Sequence, residues 1–471
     1  MITDDVLKRV GVLASRLNAR RPDIQENIEA FKGETARMRF ASEEFRSYFE
    51  RRFKGFVDNW CMPVAQAPIE RMHHIGFRLP DKLGAEDTLA RIWDANDADL
   101  GLSEALMLMT VARRSFALVS PASPRPRITF EHPDSAIVSY DPVTRERREG
   151  FTTWQDDTVE YGVYYTPEMV AYVRRAKLDI ASGSRVAVPA GSWDIDSSRE
   201  APVQANPLGV VPLVEFRNLT LLDNDPISDI AGVKSMQDAI NLVWAYLLNA
   251  LDYASLPARV VTGSDAPQVP VLDENGQIVG TRPLELDLIV KDRVLFLPSE
   301  TAKIQEWSAA NLDVFSKVIE HAVEHIAAQT RTPPHYLIAS SSNTPATGYE
   351  LAEAGLVSKA GERVAYANPS LREIYRLTAL ADNKPGLADQ VAAGRPLWKK
   401  LQYRSEQQLM DGLQKLSDAG FPFQWVAEEY GLSPSDVKRV MDMRRQEARD
   451  MVMFGDDDPE VEAVADVEVS P

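Results

Sequence analysis

PLGVVPLVEFRNLTLLDNDPISDIAGVKSMQDAINLVWAYLLNALDYA, residues 207–254, passes from an apolar strand through a Pro-containing bend into one long amphipathic helix. Val233, Met236, Ile240, Val243, Leu247, Leu251 and Ala254 recur at steps of three and four. That spacing places them on one face of an uninterrupted helix. Pro226 and Ser228 stand where a helix start favours them. A second long helix is expected over residues 308–330, where Leu312, Phe315, Ile319, Ala322 and Ile326 repeat the pattern. Pro333 and Pro334 stop it, because proline lacks the amide that would continue the ladder. Between the two helices, residues 256–300 are short β runs, and the DENG stretch at 273–276 reads as a hairpin turn.

Outward from this block, residues 3–32 read as helical. Residues 42–77 read as a helix pair interrupted at Pro63, ending near Gly76 before an extended FRLP. Residues 84–115 carry two helices around the DANDAD turn, and FALVSP begins a strand. From Arg127 to about Glu215 the pattern changes to short alternating runs (ITFEHP, AIVSYDP, VEYGVYY, MVAYVRR) set off by Gly, Pro, Asn and Asp, which marks a β-rich region. Beyond the second long helix, ASSSNTPATG is a small, polar loop. Residues 348–380 form a third helical block, interrupted at Asn368-Pro369, and residues 404–450 are helical again. The fold class is therefore α+β.

Several pieces stand in a telling order: NWC and the helix leading to GFRLP, IWDANDADLG, PLGVVPLVEFRN, ISDIAGVKSMQDAINLVWAYLL, SLPARVVTG and PATGYELAEAGLVSKAGERVAYANPSLREIYRLTAL. In that order and spacing, over roughly residues 20–445, the chain resembles the phage portal protein family of long-tailed double-stranded DNA phages. The resemblance implies a ring of about twelve copies at one capsid vertex. Residues 1–226 and 346–400 would form the wing, and 227–255 and 306–332 the two stem helices. Residues 256–305 would be the clip, 401–450 the crown, and 451–471 a disordered acidic tail. Ile240, Val243, Leu247, Leu251, Leu312, Phe315, Ile319 and Ile326 would pack the stem. The loop 338–347, with Ser340, Ser341, Ser342, Asn343 and Thr344, would lie nearest DNA. The implied partners are duplex DNA, the large terminase, a head-tail adaptor, and the major capsid and scaffolding proteins. The implied location is the virion, after assembly in the host cytoplasm.

Composition fits a globular chain: 471 residues with 44% hydrophobic content are enough to bury sizeable cores. The single cysteine, Cys61, excludes an intrachain disulfide framework and suits assembly in a reducing compartment. It reads as a buried small hydrophobe beside Trp60 and Met62. The N-terminal stretch lacks the basic and apolar regions of a signal peptide, and no apolar run reaches membrane-spanning length. Net charge is -18, and residues 454–471 contribute Asp456, Asp457, Asp458, Glu460, Glu462, Asp466 and Glu468 without a base. Such acidity argues against wrapping phosphates by counterion release. It is compatible with a conduit whose wall does not hold passing DNA.

Two motifs suggest other functions. His321-Ala322-Val323-Glu324-His325 spells the H-x-x-E-H order of inverted zinc peptidases, with both histidines one helical turn apart. A catalytic zinc needs a third protein ligand and an open position; Glu350 and Glu353 on a later helix could be proposed, but nothing singles them out. The stripe through Ile319, Ala322 and Ile326 explains the helix without metal and leaves both histidines on the polar side with Asp313 and Lys317. Residues 424–446 imitate a helix-turn-helix, offering Lys438, Arg439, Arg444 and Arg445 interleaved with Asp436, Asp442 and Glu447; a recognition helix must present donors to bases and phosphates, and two helices packing in a crown is the plainer reading. DANDAD lacks the glycine and closing glutamate of a calcium loop. No G-x-x-x-x-G-K-[ST] or G-x-S-x-G sequence is present. The expectation is a structural protein with no catalytic residues, no cofactor and no bound metal.

Overall fold

The computed structural model describes the chain except residues 1, 35–37, 39, 54, 81–86, 157–158, 177–191, 223–224, 256–258, 263–267, 273–276, 284–293, 298–302, 307–310, 338–345, 403–405, 433 and 455–471. It divides into two compact units.

The first unit comprises residues 1–32, 61–231 and 331–471. Its centre is an antiparallel sheet in the order β4 (Ala136–Tyr140), β5 (Arg147–Gln155), β6 (Val159–Tyr165), β7 (Met169–Ala176) and β8 (Asp194–Ile195), with β9 (Val203–Ala205) also pairing β7. Alternation along these strands sends Ile137, Phe151, Tyr164 and Val173 to one face, where α1 (Ile2–Lys32) covers them with Val6, Val10, Leu13 and Leu17. Val138, Val163 and Tyr165 point the other way, into a cluster with Phe116, Val211 and Leu213. Phe116 and Leu213 belong to a second antiparallel sheet, β10 (Leu213–Arg217), β2 (Arg114–Ser120) and β3 (Arg127–Glu131).

A helical layer completes this unit: α3 (Cys61–Ile69), α4 (Asp87–Asp94), α5 (Ala98–Val111), α9 (Ala346–Ala381) and α10 (Pro385–Ala392). Leu371, Ile374, Tyr375 and Leu377 of α9 meet Leu89, Trp93, Leu102, Leu106 and Met109. Trp93 stacks on Tyr375 with ring centroids 5.0 Å apart. A two-stranded sheet of β1 (His74–Arg78) and β16 (Arg395–Trp398) borders the layer. Three helices follow, α11 (Glu406–Asp418), α12 (Phe423–Tyr430) and α13 (Pro434–Phe454), where the sequence promised one helical region; Gly420 and Gly431 break it with φ of 85° and 103°. Cys61 is fully buried, as its composition suggested.

The second unit comprises residues 33–60 and 232–330. Among the described residues it holds α2 (Glu43–Arg52), nearly all of α6 (Ala231–Ser255), α7 (Asp313–Thr330) and five strands. Among these, β11 (Arg259–Thr262) lies between β14 (Val294–Leu297), parallel, and β15 (Lys303–Glu306), antiparallel. β12 (Gln268–Leu272) and β13 (Ile278–Pro283) pair antiparallel, as the hairpin reading expects; the turn itself is outside the described residues. Gly33 turns the chain at φ 66°, with the Asn59 side chain 2.6 Å from where a Cβ would stand, so another residue there would be strained and would displace Asn59.

Several boundaries differ from the sequence reading. The break in the first helix pair falls at residues 53–60; Pro63 sits inside the first turn of α3, where its missing amide has no intrahelical partner to lose. That helix ends at Ile69, and Gly76 lies within β1. Pro333-Pro334 ends α7 but opens the short helix α8 (Pro334–Leu337). α9 runs straight through Asn368-Pro369. Ala367, Leu371 and Ile374 are buried on both sides of the proline, and that burial outweighs a helix-interior penalty of about 3 kcal/mol. Neighbouring polar groups are also tied down: Trp398 Nε1 donates to Asn368 Oδ1 at 2.8 Å, and Ser370 Oγ to the Glu215 carbonyl at 2.7 Å.

Candidate functional site

The two long helices of the second unit carry the residues expected to pack the stem. In α6, Val233, Ile240 and Leu247 are buried, Val243 is half-buried, and Leu251 remains 43% exposed. The buried face also includes Gln237 and Asn241, which the apolar count passed over. Gln237 Oε1 accepts the Trp60 amide at 2.7 Å, and Asn241 Oδ1 accepts the Asp58 amide at 2.8 Å. Trp244 Nε1 donates to Asp58 Oδ2 at 2.8 Å, and Phe56 meets the Trp244 ring edge-on. Phe49, Met38 and Ala41 cluster with Ala245. The first long helix is therefore clothed along one side by Met38, Ala41, Phe49, Phe56, Asp58 and Trp60 of its own chain.

In α7, Ile319 and Ile326 are buried with Val323 and Ala327, and Phe315 is half-buried. Leu312 is half-buried but precedes the helix, which starts at Asp313 rather than near 308. On the opposite side Val314 and Val318 are 55% and 48% exposed. His321, Glu324 and His325 share that exposed side, and His321 Nδ1 lies 3.2 Å from Glu324 Oε2. Among the described residues no group of three or more His, Cys, Asp or Glu side chains gathers as metal ligands. Glu353 contacts Arg71 and His335 instead, and the side chain of Glu350 is outside the described residues.

Ser340, Ser341, Ser342, Asn343 and Thr344 lie outside the described residues. Their flanks are described. Ala346 and Thr347 belong to α9, so the connecting segment is shorter than the sequence reading made it. Before it, Tyr336 in α8 receives a hydrogen bond from Arg71 Nη2 at 2.9 Å. After it, Glu353 lies 3.1 Å from the same nitrogen, while Arg71 Nη1 donates to the Leu401 carbonyl at 3.1 Å.

Further along α9, Asp229 is wholly buried between two cations. Arg363 Nη2 and Nε donate to it at 2.8 and 3.1 Å, Lys359 Nζ lies 3.5 Å away, and Asn218 Nδ2 donates at 2.8 Å. Burial pushes the Lys359 ammonium below its usual value, and the Asp229 charge opposes that shift. Asp229 stands just before α6, and its amide donates to the Thr110 carbonyl at 2.9 Å. Ser228, placed at a helix start by the sequence, accepts the Ile230 amide on its hydroxyl at 3.3 Å just ahead of α6 and donates the same hydroxyl to the Val111 carbonyl at 2.6 Å. Sequence reasoning missed this polar seam, although its signal was available: Lys359 and Arg363 stand one turn apart between Leu356, Ala360 and Ala367.

In the helix-turn-helix candidate, α12 packs on its own chain. Glu428 pairs with Arg78, Glu429 with Lys400, and the Arg444 guanidinium lies 4.3 Å from the centre of the Phe423 ring. Arg445 lies 3.3 Å from Asp442. Of the four candidate cations, Arg444 and Arg445 therefore have partners on their own chain.

A family model described as phage portal protein, SPP1 Gp6-like, matches residues 12–422. The chain belongs to this phage portal protein family. The portal protein of Mycobacterium phage D29 is 26% identical over 329 residues, covering 65% of this chain and 61% of that protein. The portal protein of Mycobacterium phage L5 is 27% identical over 312 residues, covering 62% and 58%. The chain thus spans about three fifths of the length of these curated relatives. Among solved structures, a chain from "Neck of native GTA particle computed with C12 symmetry" covers 86% of this chain and 98% of its own length, at 13% identity and a TM-score of 0.39, too slight a likeness to bear on the fold. The portal family match ends at residue 422, just before α12.

Proposed function

We propose that the chain is the portal of a tailed double-stranded DNA phage: a ring of about twelve copies at one capsid vertex, through which DNA is packaged and ejected. The observation that carries this reading is the family match over residues 12–422, which includes both long helices and the strands between them. In this reading α6 and α7 are the stem, β11–β15 the clip, α11–α13 the crown, and the remainder the wing. The clip is the surface for the large terminase and later a head-tail adaptor, and the wing meets capsid and scaffolding proteins. The work is geometric rather than catalytic. No helix among the described residues is long and apolar enough to cross a membrane, and the virion is the proposed location, reached after assembly in the host cytoplasm.

The burial pattern refines which residues neighbouring copies meet. Ile240, Leu247, Ile319 and Ile326 are already covered within one chain. Val314, Val318, Tyr246 and Leu251 are large apolar side chains left exposed on the same two helices, and they are the proposed contacts between neighbouring copies. Heterologous contact between unlike faces closes into a ring when the rotation between copies closes. Segment 338–345 is the proposed approach to DNA, since small hydroxyl and amide side chains touch phosphates without the grip of lysine or arginine. Negative-stain imaging of the purified protein tests the whole reading: rings with a central hole are expected. A uniform monomer or two-fold dimer in every buffer, with or without scaffolding protein, sinks it.

A further inference from the structure

We propose that α13 packs beside α13 of the next copy in the ring, the basic flank of one helix against the acidic flank of its neighbour. The inference rests on the ring reading above and concerns residues beyond 422, where the family match ends. One face of α13 is turned to α12: Val437 is buried, and Arg444, two turns on, lies over the Phe423 ring. Beyond that contact the helix is bare. Every residue from Asp442 to Asp450 is exposed, Met443 to 54%. A helical stretch of this length that buries so little is marginal in water, because helices in proteins draw most of their stability from packing one face.

The exposed sides of α13 differ in charge. With the Val437–Arg444 face toward α12, Lys438, Arg445 and Arg449 recur at steps of seven and four down one flank. Asp436, Met443, Glu447 and Asp450 recur at seven, four and three down the other. Asp442 and Arg439 lie between them on the outer face. Arg445 has Asp442 at 3.3 Å, and Asp450 accepts from Gln446 at 3.0 Å. Both are exposed intrahelical contacts of the weak kind, which leave each flank its sign.

This asymmetry selects the partner. A two-fold contact is isologous and sets a flank against itself, basic on basic or acidic on acidic. A rotation that closes a ring is heterologous and sets each basic flank against the next copy's acidic one. Packed helix axes stand about 8–10 Å apart, which arginine and glutamate side chains bridge. Flanking charges of this kind fix partner and orientation in helix pairs, while Met443 adds apolar area at the seam.

Cys61 is buried, so engineered cysteines are the accessible thiols. Arg445→Cys with Glu447→Cys puts one thiol on each flank, on opposite sides of the helix, where they cannot close within one chain. Mild oxidation of the assembled full chain is expected to give a ladder of linked copies on non-reducing electrophoresis, and either single variant is expected to stay unlinked. Rings in negative stain without a ladder overturn this packing and leave the ring reading standing. Absence of rings from the unmodified protein overturns both. Linked dimers from a single variant mean that like flanks meet, which also overturns it. Independently, hydrogen exchange at amides 442–450 is expected to run about tenfold or more slower in unmodified rings than in Glu447→Lys with Asp450→Lys. Adding Arg445→Glu with Arg449→Glu to that variant is expected to restore the protection, because the flanks have exchanged signs. Equal exchange in all three refutes the contact. Protection that appears only when duplex DNA is added assigns α13 to phosphates and refutes it as well.

Discussion

Arg71 and Glu353 lie 3.1 Å apart, and the Arg71 side chain is almost wholly buried. The same guanidinium holds the Tyr336 hydroxyl and the Leu401 carbonyl. One cation therefore fastens the chain before residues 338–345, the chain after them, and the start of the C-terminal helices. Removing one partner of a buried pair leaves the other uncompensated. Arg71→Met is expected to cost about 3–5 kcal/mol in denaturant unfolding. Arg71→Met with Glu353→Gln should recover part of that loss, because no unpaired carboxylate remains. Equal loss in the single and double variants would show that the pair itself contributes little.

Asp229 pairs with both Lys359 and Arg363. Asp229→Asn takes the carboxylate from Lys359 and leaves Arg363 with the partly exposed Glu362, 3.4 Å from its Nη1, and a loss of about 3–5 kcal/mol is expected. Added Lys359→Met should restore stability, measured by the same denaturant titration.

Glu373 ties α9 to β5 through Arg147, and Arg376 Nε and Nη2 donate to it at 2.7 Å. Burial works to raise its carboxyl pKa, but the Arg376 hydrogen bonds and the Arg147 charge outweigh burial and hold it below the usual value. A lowered folded value means that its contribution is full above the unfolded carboxyl value, about 4.3, and is lost as pH falls through the lower folded value. Glu373→Gln is expected to cost about 1.5–3 kcal/mol at pH 7. Its stability should fall less steeply than the parent's below about pH 4, as followed by unfolding at stepped pH.

Val314 and Val318 are exposed on α7, so Val314→Asp with Val318→Asp is expected to change chain stability by no more than about 0.5 kcal/mol per site. Ring yield in negative stain should nonetheless collapse. His321→Ala with His325→Ala should leave rings intact, with no stoichiometric zinc in the parent by elemental analysis. One zinc per chain, lost in that double variant, would revive the peptidase reading.

Lysines at Ser341, Ser342 and Asn343 are expected to leave ring formation unchanged and to impair DNA packaging or retention, because each adds a phosphate grip. Full heads at normal yield would move the DNA contact elsewhere. Loss of rings would make the segment structural.

Local pattern was enough for much of this protein. A step of three and four over residues 233–254 dictates α6, alternation over residues 127–215 dictates strands, and the order of these blocks already resembled the portal family. Such features depend on neighbours within a turn or a strand, so they are legible in one dimension. Three-dimensional partners decided the rest. Pro369 stays helical because the core closes over Ala367 and Leu371. Gln237 and Asn241 are buried because Asp58 and Trp60, about 180 positions earlier, offer amides to them. Which side of α7 faces inward, and what Arg71 clamps, depend on groups far apart in the chain. A hydrogen bond or buried ion pair needs a specific partner at about 3 Å, and no periodicity records where that partner stands.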